Sequence, residues 1–358
     1  MRSKRLLKLF LSALLVGSLT LSALNIWQIV NNPASTLLVE RGLDELRLKY
    51  EKALSKAASP ELIEQRLSAR LSETPRDWIA IEALQGVAED KKIELREATK
   101  EQIQAAASED SGFFKTSGKC LKCALDAAQC ELSAVLFCQL PVALTPIGDV
   151  SGIVKGGYAY SKGQDVDEVD VILSVVGLTA VAAAYPSAGT SLSIKAGAGM
   201  AKLMNSVGAL PTSIRKQFVR SFEDGVEWSQ VTSVRSIEDL RALIKPAVLN
   251  ETVEMVSYIG KISGSMSTVD AIYVVKRVDG IEDLVPISRA SEALKGKTVG
   301  AMEVMGKNKF IRTTMKWSDE AASVILGLVG LLSALVGLFW SVLTSAMLRV
   351  ARRTASKS

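Results

Sequence analysis

The distribution of apolar and charged residues divides the chain into a charged middle and two uncharged stretches near its ends. Residues 9–30 and residues 321–348 contain no charged side chain. At a rise of about 1.5 Å per residue, each stretch is long enough to cross a hydrocarbon core of roughly 30 Å. We therefore predict one transmembrane helix at each end of the chain. Residues 31–320 are predicted to fold outside the membrane.

A cleaved signal peptide is the alternative for the first apolar stretch. Such a signal has an apolar region of about 7–15 residues followed by a small-x-small cleavage site. Here the apolar run continues past Ala23 through Trp27 to Val30. This length favours an uncleaved anchor.

The second apolar stretch carries small residues at every fourth position. Such a stripe lies on one helix face and lets helices approach closely in lipid. It predicts pairing between the two spans or between copies of the chain, unless the small residues are merely tolerated. The stripe consists of Ser333, Gly337, Ser341 and Ser345.

Basic residues in the two tails predict the orientation in the membrane. The tails, residues 1–8 and residues 349–358, each contain four basic residues and no acidic one. Cytoplasmic flanks carry an excess of Lys and Arg, so both termini are predicted to lie in the cytoplasm. The protein is then expected in the inner (plasma) membrane, with residues 31–320 periplasmic or extracellular. Since the whole chain has a net charge of +5, the far-side region is about −3, which argues against nucleic-acid binding.

The composition limits the kinds of catalytic and metal site that the chain can contain. Apolar residues make up 48% of the chain, and histidine is absent. Ser-His-Asp and Cys-His catalysis and His-ligated zinc are thereby excluded. Any enzyme would depend on carboxylates, Lys, Tyr or Cys, so we expect a non-enzymatic protein without a cofactor or a metal.

Residues 31–118 form a charged region with the apolar spacing of three or four amphipathic helices. Ser59-Pro60 predicts an N-cap followed by proline at the first helical position. Thr74-Pro75 predicts a second such start, with Asp77 in the capping-box position. Residues 108–119 are predicted to form a loop.

All the cysteines fall in one short stretch, Cys120, Cys123, Cys130 and Cys138. In an oxidising compartment four cysteines are expected to form two disulfides, whose pairing the sequence does not define. A four-cysteine zinc site and unpaired or redox-active thiols are the alternatives.

The cysteines open a Gly- and Ala-rich helical core, residues 119–211. The apolar run 171–185 is short for a membrane span and suits a buried core helix. The acidic residues at 165–170 before it are typical of a solvated helix start. The run Ala196–Gly199 predicts a helix that packs tightly.

The stretch TPIGDVSGIVKGGYAYSKGQDVDEVDVILSVVGL resembles the pre-toxin modules of bacterial polymorphic toxin proteins. The resemblance covers residues 144–204. It implies a helix start with Pro and Gly-Asp, a Gly-rich turn, an acidic helix start and an apolar helix that ends at a Pro-Gly turn. In that family the module precedes a C-terminal toxin domain and is not itself catalytic, so it implies no catalytic residue here. This chain instead continues to a predicted membrane span.

Residues 212–320 are mixed and mostly helical by pattern. Helices are predicted at 213–224, 236–244, 251–258, 268–278 and 288–294, while the runs 272–275 and 298–300 are alternatively strands. The carboxylates Asp270, Asp279, Glu282 and Asp283 are interpreted as a solvated helix surface.

These patterns together predict a mainly all-α protein, a helical ectodomain anchored by one transmembrane helix at each end. The predicted function is a non-enzymatic membrane scaffold or interaction protein. Its expected partners are the bilayer and a protein partner, or further copies of the chain, bound through the transmembrane helices. The alternatives are a toxin-associated or membrane-active (pore-forming) protein, and an enzyme or redox protein that uses the cysteines.

Overall fold

The computed structural model describes residues 34–114, 163–182, 188–228 and 242–319, together with positions 156, 159, 160, 230 and 239. This part of the chain is mainly α-helical and contains no strand, only a bridge between Val226 and Ile244. The prediction of a mainly all-α protein is confirmed. Both predicted spans, residues 9–30 and 321–348, lie outside the described residues. Among the helices that are described, none is both long and apolar enough to cross a bilayer.

The charged N-terminal region forms four helices, as predicted. They are α1 Ala34–Ala57, α2 Pro60–Leu71, α3 Trp78–Asp90 and α4 Glu97–Phe114. The start of α2 follows the sequence signal, because the Ser59 hydroxyl accepts a hydrogen bond from the backbone N–H of Leu62 at 3.2 Å. Pro60 then occupies the first helical position, where its missing N–H is not needed.

Two boundaries in this region differ from the prediction. Helix α3 begins at Trp78 with Asp77 as its N-cap, and Thr74-Pro75 lie in the preceding turn. The side chain of Arg76 in this turn caps the C-terminus of α2, since its Nε donates to the carbonyl of Leu71 at 3.0 Å. Helix α4 continues to Phe114, where a loop was expected from residue 108. Its last turns are held because Asp110 accepts hydrogen bonds from the side chains of Arg76 and Trp78.

The described part of the central region includes the helices α5 Glu168–Ala182, α6 Ala188–Ser206 and α7 Thr212–Gly225. The carboxylate of Asp167 accepts from the backbone N–H of Asp170 at 3.1 Å and so caps α5. The apolar residues that follow are buried on every side of α5, as a core helix requires. They are Val169, Val171, Ile172, Leu173, Val175 and Val176.

The C-terminal region consists of α8 Pro246–Ser265, α9 Thr268–Val275, α10 Ile281–Leu294, a 3₁₀ turn Lys295–Lys297, α11 Thr298–Met305 and α12, residues 307–319. The runs 272–275 and 298–300 are helical, so the strand alternative is wrong for both. Their β-branched residues are buried among helices, and the described part of the chain offers no strand with which they would pair. The predicted helix 236–244 lies mostly outside the described residues.

Helices α6 and α8 cross with their backbones in direct contact. A Cβ atom placed on Gly197 would lie 1.8 Å from the carbonyl oxygen of Val256, and one on Gly260 would lie 1.7 Å from that of Ser193. Only glycine permits this approach at either position. The tight packing predicted for the Ala196–Gly199 run is therefore confirmed.

Helix α11 is the centre of a second group of helices. All of its 8 residues are buried, and it contacts α1, α2, α3, α9 and α10. A Cβ on Gly300 would lie 2.6 Å from a methyl group of Val87 on α3. The fold thus has two clusters, one of α5–α8 and one around α11, and α10 packs against α8 on one side and α1 on the other.

Helices α1 and α12 form an antiparallel pair. The ring centroids of Tyr50 and Phe310 are 4.9 Å apart, and the Tyr50 hydroxyl donates to the Phe310 carbonyl at 2.6 Å. Gly42 lies eight residues earlier in α1, and a Cβ atom placed on it would be 3.4 Å from the indole of Trp317. The first described residue of α1 and the last of α12 therefore emerge at the same end of the domain.

The α6–α8 crossing generates the first prediction. Gly197→Ala and Gly260→Ala should each destabilise the protein by about 3 kcal/mol or more, because the new methyl group overlaps backbone that cannot move aside. Gly264→Ala on α8 is the matched control, since nothing lies within 4 Å of its Cβ position. That change should be neutral or stabilise by about 0.5–1 kcal/mol. Chemical unfolding of the three full-length variants measures the difference, and equal stabilities would contradict the close crossing.

Candidate functional site

The described interior contains the carboxylate of Glu303 on α11, whose side chain is 5% exposed. A buried charge is unstable unless it is paired and hydrogen-bonded. Arg70 of α2 supplies a two-pronged contact, with Nε 3.0 Å from Oε2 and Nη2 2.9 Å from Oε1. This fork geometry is the strong form of an Arg–carboxylate pair.

Two residues at the end of α9 complete the surroundings of Glu303. The Tyr273 hydroxyl donates to Oε1 of Glu303. The Arg277 guanidinium lies 3.3 Å above the Tyr273 ring, and its Nη1 donates to the Tyr273 carbonyl at 3.0 Å. Its Nη2 is 3.9 Å from Glu303. Arg277 therefore adds both a cation–π contact and a second positive charge beside the buried carboxylate.

Two further carboxylates balance the arginines at the outer edge of the cluster. Asp77, the N-cap of α3, is 3.5 Å from Arg277, and Glu73 is 2.7 Å from Arg70. We call these six residues, Arg70, Glu73, Asp77, Tyr273, Arg277 and Glu303, the Glu303 cluster. It ties together α2, α3, α9 and α11.

The electrostatics favour a structural ionic contact over acid–base chemistry. Burial alone would lower the pKa of Arg70, but the charge of Glu303 and its hydrogen bonds outweigh burial and hold that pKa above its ordinary value. Burial raises the pKa of Tyr273, and the charge and hydrogen bond of Glu303 raise it further. Tyr273 thus remains a protonated donor at neutral pH and does not act as a base or nucleophile.

The loop that carries Arg277 also fastens the start of α12. Lys307 Nζ lies 2.5 Å from a carboxylate oxygen of Asp279 and 2.7 Å from one of Asp283. Burial by itself would lower the pKa of Lys307, but hydrogen bonds to the two aspartates outweigh it and raise that pKa. Asp279 is exposed, in agreement with the solvated-surface interpretation, whereas Asp283 is partly buried, and both carboxylates pair with Lys307.

A serine–lysine contact between α5 and α6 has the residue types of a nucleophile and base. Lys202 Nζ is 2.7 Å from the hydroxyl of Ser174. Ser174 is fully buried and donates its own proton to the carbonyl of Asp170 at 2.7 Å. A lysine base has to accept the serine proton, and here the proton points to the backbone. The contact fits a structural role that joins α5 to α6.

A second buried carboxylate, Glu64 on α2, organises the start of α4. It accepts the backbone N–H of Arg96 at 2.7 Å and the hydroxyl of Thr99. Burial by itself would raise the pKa of Glu64, but the hydrogen bonds from Thr99 and Arg96 outweigh burial and lower it. Glu64 thus satisfies backbone and side-chain donors in the first turn of α4.

The disulfide candidates Cys120, Cys123, Cys130 and Cys138 and the stripe Ser333, Gly337, Ser341 and Ser345 lie outside the described residues. Within residues 34–114 and the later described ranges, no group of acidic residues is placed to hold a metal ion.

The Glu303 cluster was missed by the sequence analysis. Its one local signal is a single charge within the otherwise apolar run TVGAMEVM. The partners of Glu303 come from distant parts of the chain.

Comparisons with family models, curated proteins and solved structures found no match to this chain.

The Glu303 cluster generates the second prediction. Arg70→Met should destabilise the protein by about 3–5 kcal/mol, because it leaves the Glu303 charge buried with its principal partner removed. The double variant R70M/E303M should recover most of this loss. Arg47→Met is the control, since Arg47 forms only an exposed pair with Glu51 and should change stability by less than about 0.5 kcal/mol. Chemical unfolding of R70M, R70M/E303M and R47M measures these differences. If Arg70 and Glu303 contributed only packing, the double variant would be the least stable of the three.

Glu64 generates a prediction about pH. Its pKa is lower in the folded than in the unfolded protein, so its stabilisation is complete above the ordinary carboxylate pKa of 4.5 and is lost as pH falls below that value. Glu64→Gln should reduce the free energy of unfolding at neutral pH and make its decline in acid shallower. Unfolding curves from pH 7 to pH 3 measure this. The exposed Glu94→Gln is the control, and a parallel decline in both variants would exclude the role of Glu64.

Proposed function

We propose that this protein is a membrane-anchored, non-enzymatic scaffold or interaction protein whose helical domain is held by one span at each end. The spans are residues 9–30 and 321–348, and residues 31–320 lie on the far side of the inner membrane. The observation that carries the proposal is the antiparallel pairing of α1 and α12, which brings the two ends of the domain together.

The pairing matters because the proposed spans adjoin these helices closely. The first ends a few residues before Ala34, and the second begins directly after residue 320. Each residue of extended chain covers at most about 3.6 Å, so the connections are too short to run along the domain. Because both proposed spans leave the domain at the same end, they enter one bilayer without a long connecting segment.

The interior of the domain supports a scaffold role. Its polar side chains are used to fasten helices to one another, through the Glu303 cluster, Lys307 and Glu64. The close backbone contacts at Gly197 and Gly260 likewise hold α6 against α8. A body fixed at so many points presents a constant surface to a partner. The small-residue stripe at residues 333–345 would then bind that partner, or a second copy, within the membrane.

The proposed location has a consequence for the cysteines. A periplasmic or extracellular domain is in an oxidising compartment, where Cys120, Cys123, Cys130 and Cys138 are expected to form two disulfides. These bonds would brace the segment between α4 and α5. The redox alternative would require the same residues to remain thiols.

The membrane-active alternative draws on one observation, the apolar character of α5 on all its faces. Insertion of α5 would require its removal from α6, α7 and α8, against which it packs. It would also break the contact between Lys202 and Ser174. We therefore favour the scaffold over the pore-forming protein.

Topology in intact cells tests the proposal. A protease site inserted at the exposed turn around Lys92 should be cut in spheroplasts, because it lies on the outer side. The same site at residue 5 or residue 355 should be cut only after the membrane is permeabilised. Carbonate extraction should leave the full-length protein in the membrane fraction. Protection of the Lys92 site in intact spheroplasts, or release of the chain by carbonate, would overturn the proposal.

A further inference from the structure

Helix α4 is held to the rest of the domain by little apolar surface. Of its residues 97–110, only Thr99, Ile103 and Ala106 are buried. Helix α3 is shorter, yet five of its residues are buried. The main packing partner of α4 among the described helices is α2. Because burial of apolar surface is what holds most helices in place, α4 depends on its polar contacts more than α3 does.

The start of α4 is fixed to the core. The buried carboxylate of Glu64 accepts hydrogen bonds from the backbone N–H of Arg96 and from the hydroxyl of Thr99. In the segment that precedes the helix, Ile93 and Leu95 pack against the hydrophobic core. A movement of α4 that keeps these contacts therefore pivots about its first turn.

The far end of α4 is held by contacts with the start of α3 and the turn before it. Asp110 accepts hydrogen bonds from Nη1 of Arg76 at 2.9 Å and from the indole Nε1 of Trp78 at 2.7 Å. Glu109 also accepts from Nη2 of Arg76 at 2.9 Å, but its side chain is 71% exposed. No side chain at residues 107–110 is buried. We call the contacts of Asp110 with Arg76 and Trp78 the α4 latch.

We propose that α4 is a hinged strap, which opens independently of the rest of the described domain when the α4 latch breaks. Its first turn stays attached through Glu64, and the remainder separates from α2. An 18-residue helix is only marginally stable without tertiary contacts, so the released part unwinds. Opening uncovers the indole of Trp78 and the face of α2 on which α4 lies. This conformational device goes beyond the proposed scaffold role, which depends on the helices that stay packed.

The open form keeps the contacts that hold the other described helices together. The α6–α8 crossing, the Glu303 cluster and the pairing of α1 with α12 contain no residue of α4, so they persist when it opens. Native proteins open in such local units at a lower free energy than global unfolding requires. Removal of the α4 latch therefore favours opening, whereas a weaker α6–α8 crossing does not.

Hydrogen exchange of the purified full-length protein, measured by mass spectrometry, tests the proposal. Peptides within residues 101–110 should exchange faster than peptides of α8 and α11. Their exchange should depend only weakly on denaturant, because local opening exposes little surface. Asp110→Ala should raise the exchange rate at residues 101–110 by about 10- to 100-fold, as expected for the loss of hydrogen bonds to a charged group.

The matched control for the latch is Glu101→Ala. Glu101 is an exposed carboxylate of the same helix, and it has no ion pair or hydrogen bond with its side chain in the described part of the chain. This variant should leave the exchange rate at residues 101–110 unchanged. Equal rates in Asp110→Ala and Glu101→Ala would overturn the assignment of the latch.

A variant that destabilises the whole domain separates independent opening from global unfolding. Gly197→Ala weakens the α6–α8 crossing, so it should speed exchange in α8 and α11 and leave residues 101–110 unchanged. Equal acceleration in all three places would show that α4 opens only when the whole domain unfolds, and would overturn the proposal. The wild-type protein gives the same answer without any variant, since a denaturant dependence at residues 101–110 as steep as that of α8 would exclude local opening.

Discussion

The buried carboxylate of Glu303 constrains how α11 packs, because its hydrogen bonds join α11 to α2 and α9. Helix α11 is apolar apart from this residue and is enclosed by five other helices. Because all 8 residues of α11 are buried and the hydrophobic effect is non-directional, burial alone does not define the rotation of this helix. Only one rotation brings Glu303 to Arg70 and Tyr273 together, and any other leaves a charge buried without partners, which is strongly unfavourable. The charge thus contributes uniqueness of packing, whereas net stability comes from the apolar surface around it.

The placement of α11 determines the position of the chain ends. Arg277 contacts Glu303, and two residues later in the same loop Asp279 contacts Lys307 at the start of α12. Helix α12 is then laid along α1, where Tyr50 meets Phe310. The Glu303 cluster is therefore continuous with the contacts that pair α12 with α1. These successive contacts connect Arg70 to the α1–α12 pair.

Much of the helical content was predictable from the sequence, because its signals are local. The Ser59 cap, the acidic start of α5 and the apolar course of α5 each depend on neighbours within a turn or two. The start of α3 was misplaced because Thr74 and Asp77 are both good caps, and the choice between them depends on the turn that Arg76 makes to Leu71. The strand alternative at 272–275 failed because β-branched residues indicate burial as much as strand. The Glu303 cluster was beyond reach, since Arg70 and Glu303 are brought together only by the complete fold.

The two clusters of the domain are joined by a helix whose small side chains serve as spacers. Helix α10 packs against α8 and α1 at once, and Ser288, Ala290, Ser291 and Ala293 are all buried in it. The Ser291 hydroxyl is buried without a hydrogen bond, which is unfavourable for a polar group, so its small size rather than its hydroxyl explains its position. In the same helix, Nη1 of Arg289 donates a hydrogen bond to the hydroxyl of Ser318 on α12 at 2.7 Å. Because α10 contacts both clusters as well as α1 and α12, it connects the α5–α8 cluster to the antiparallel pair that carries the two ends of the domain.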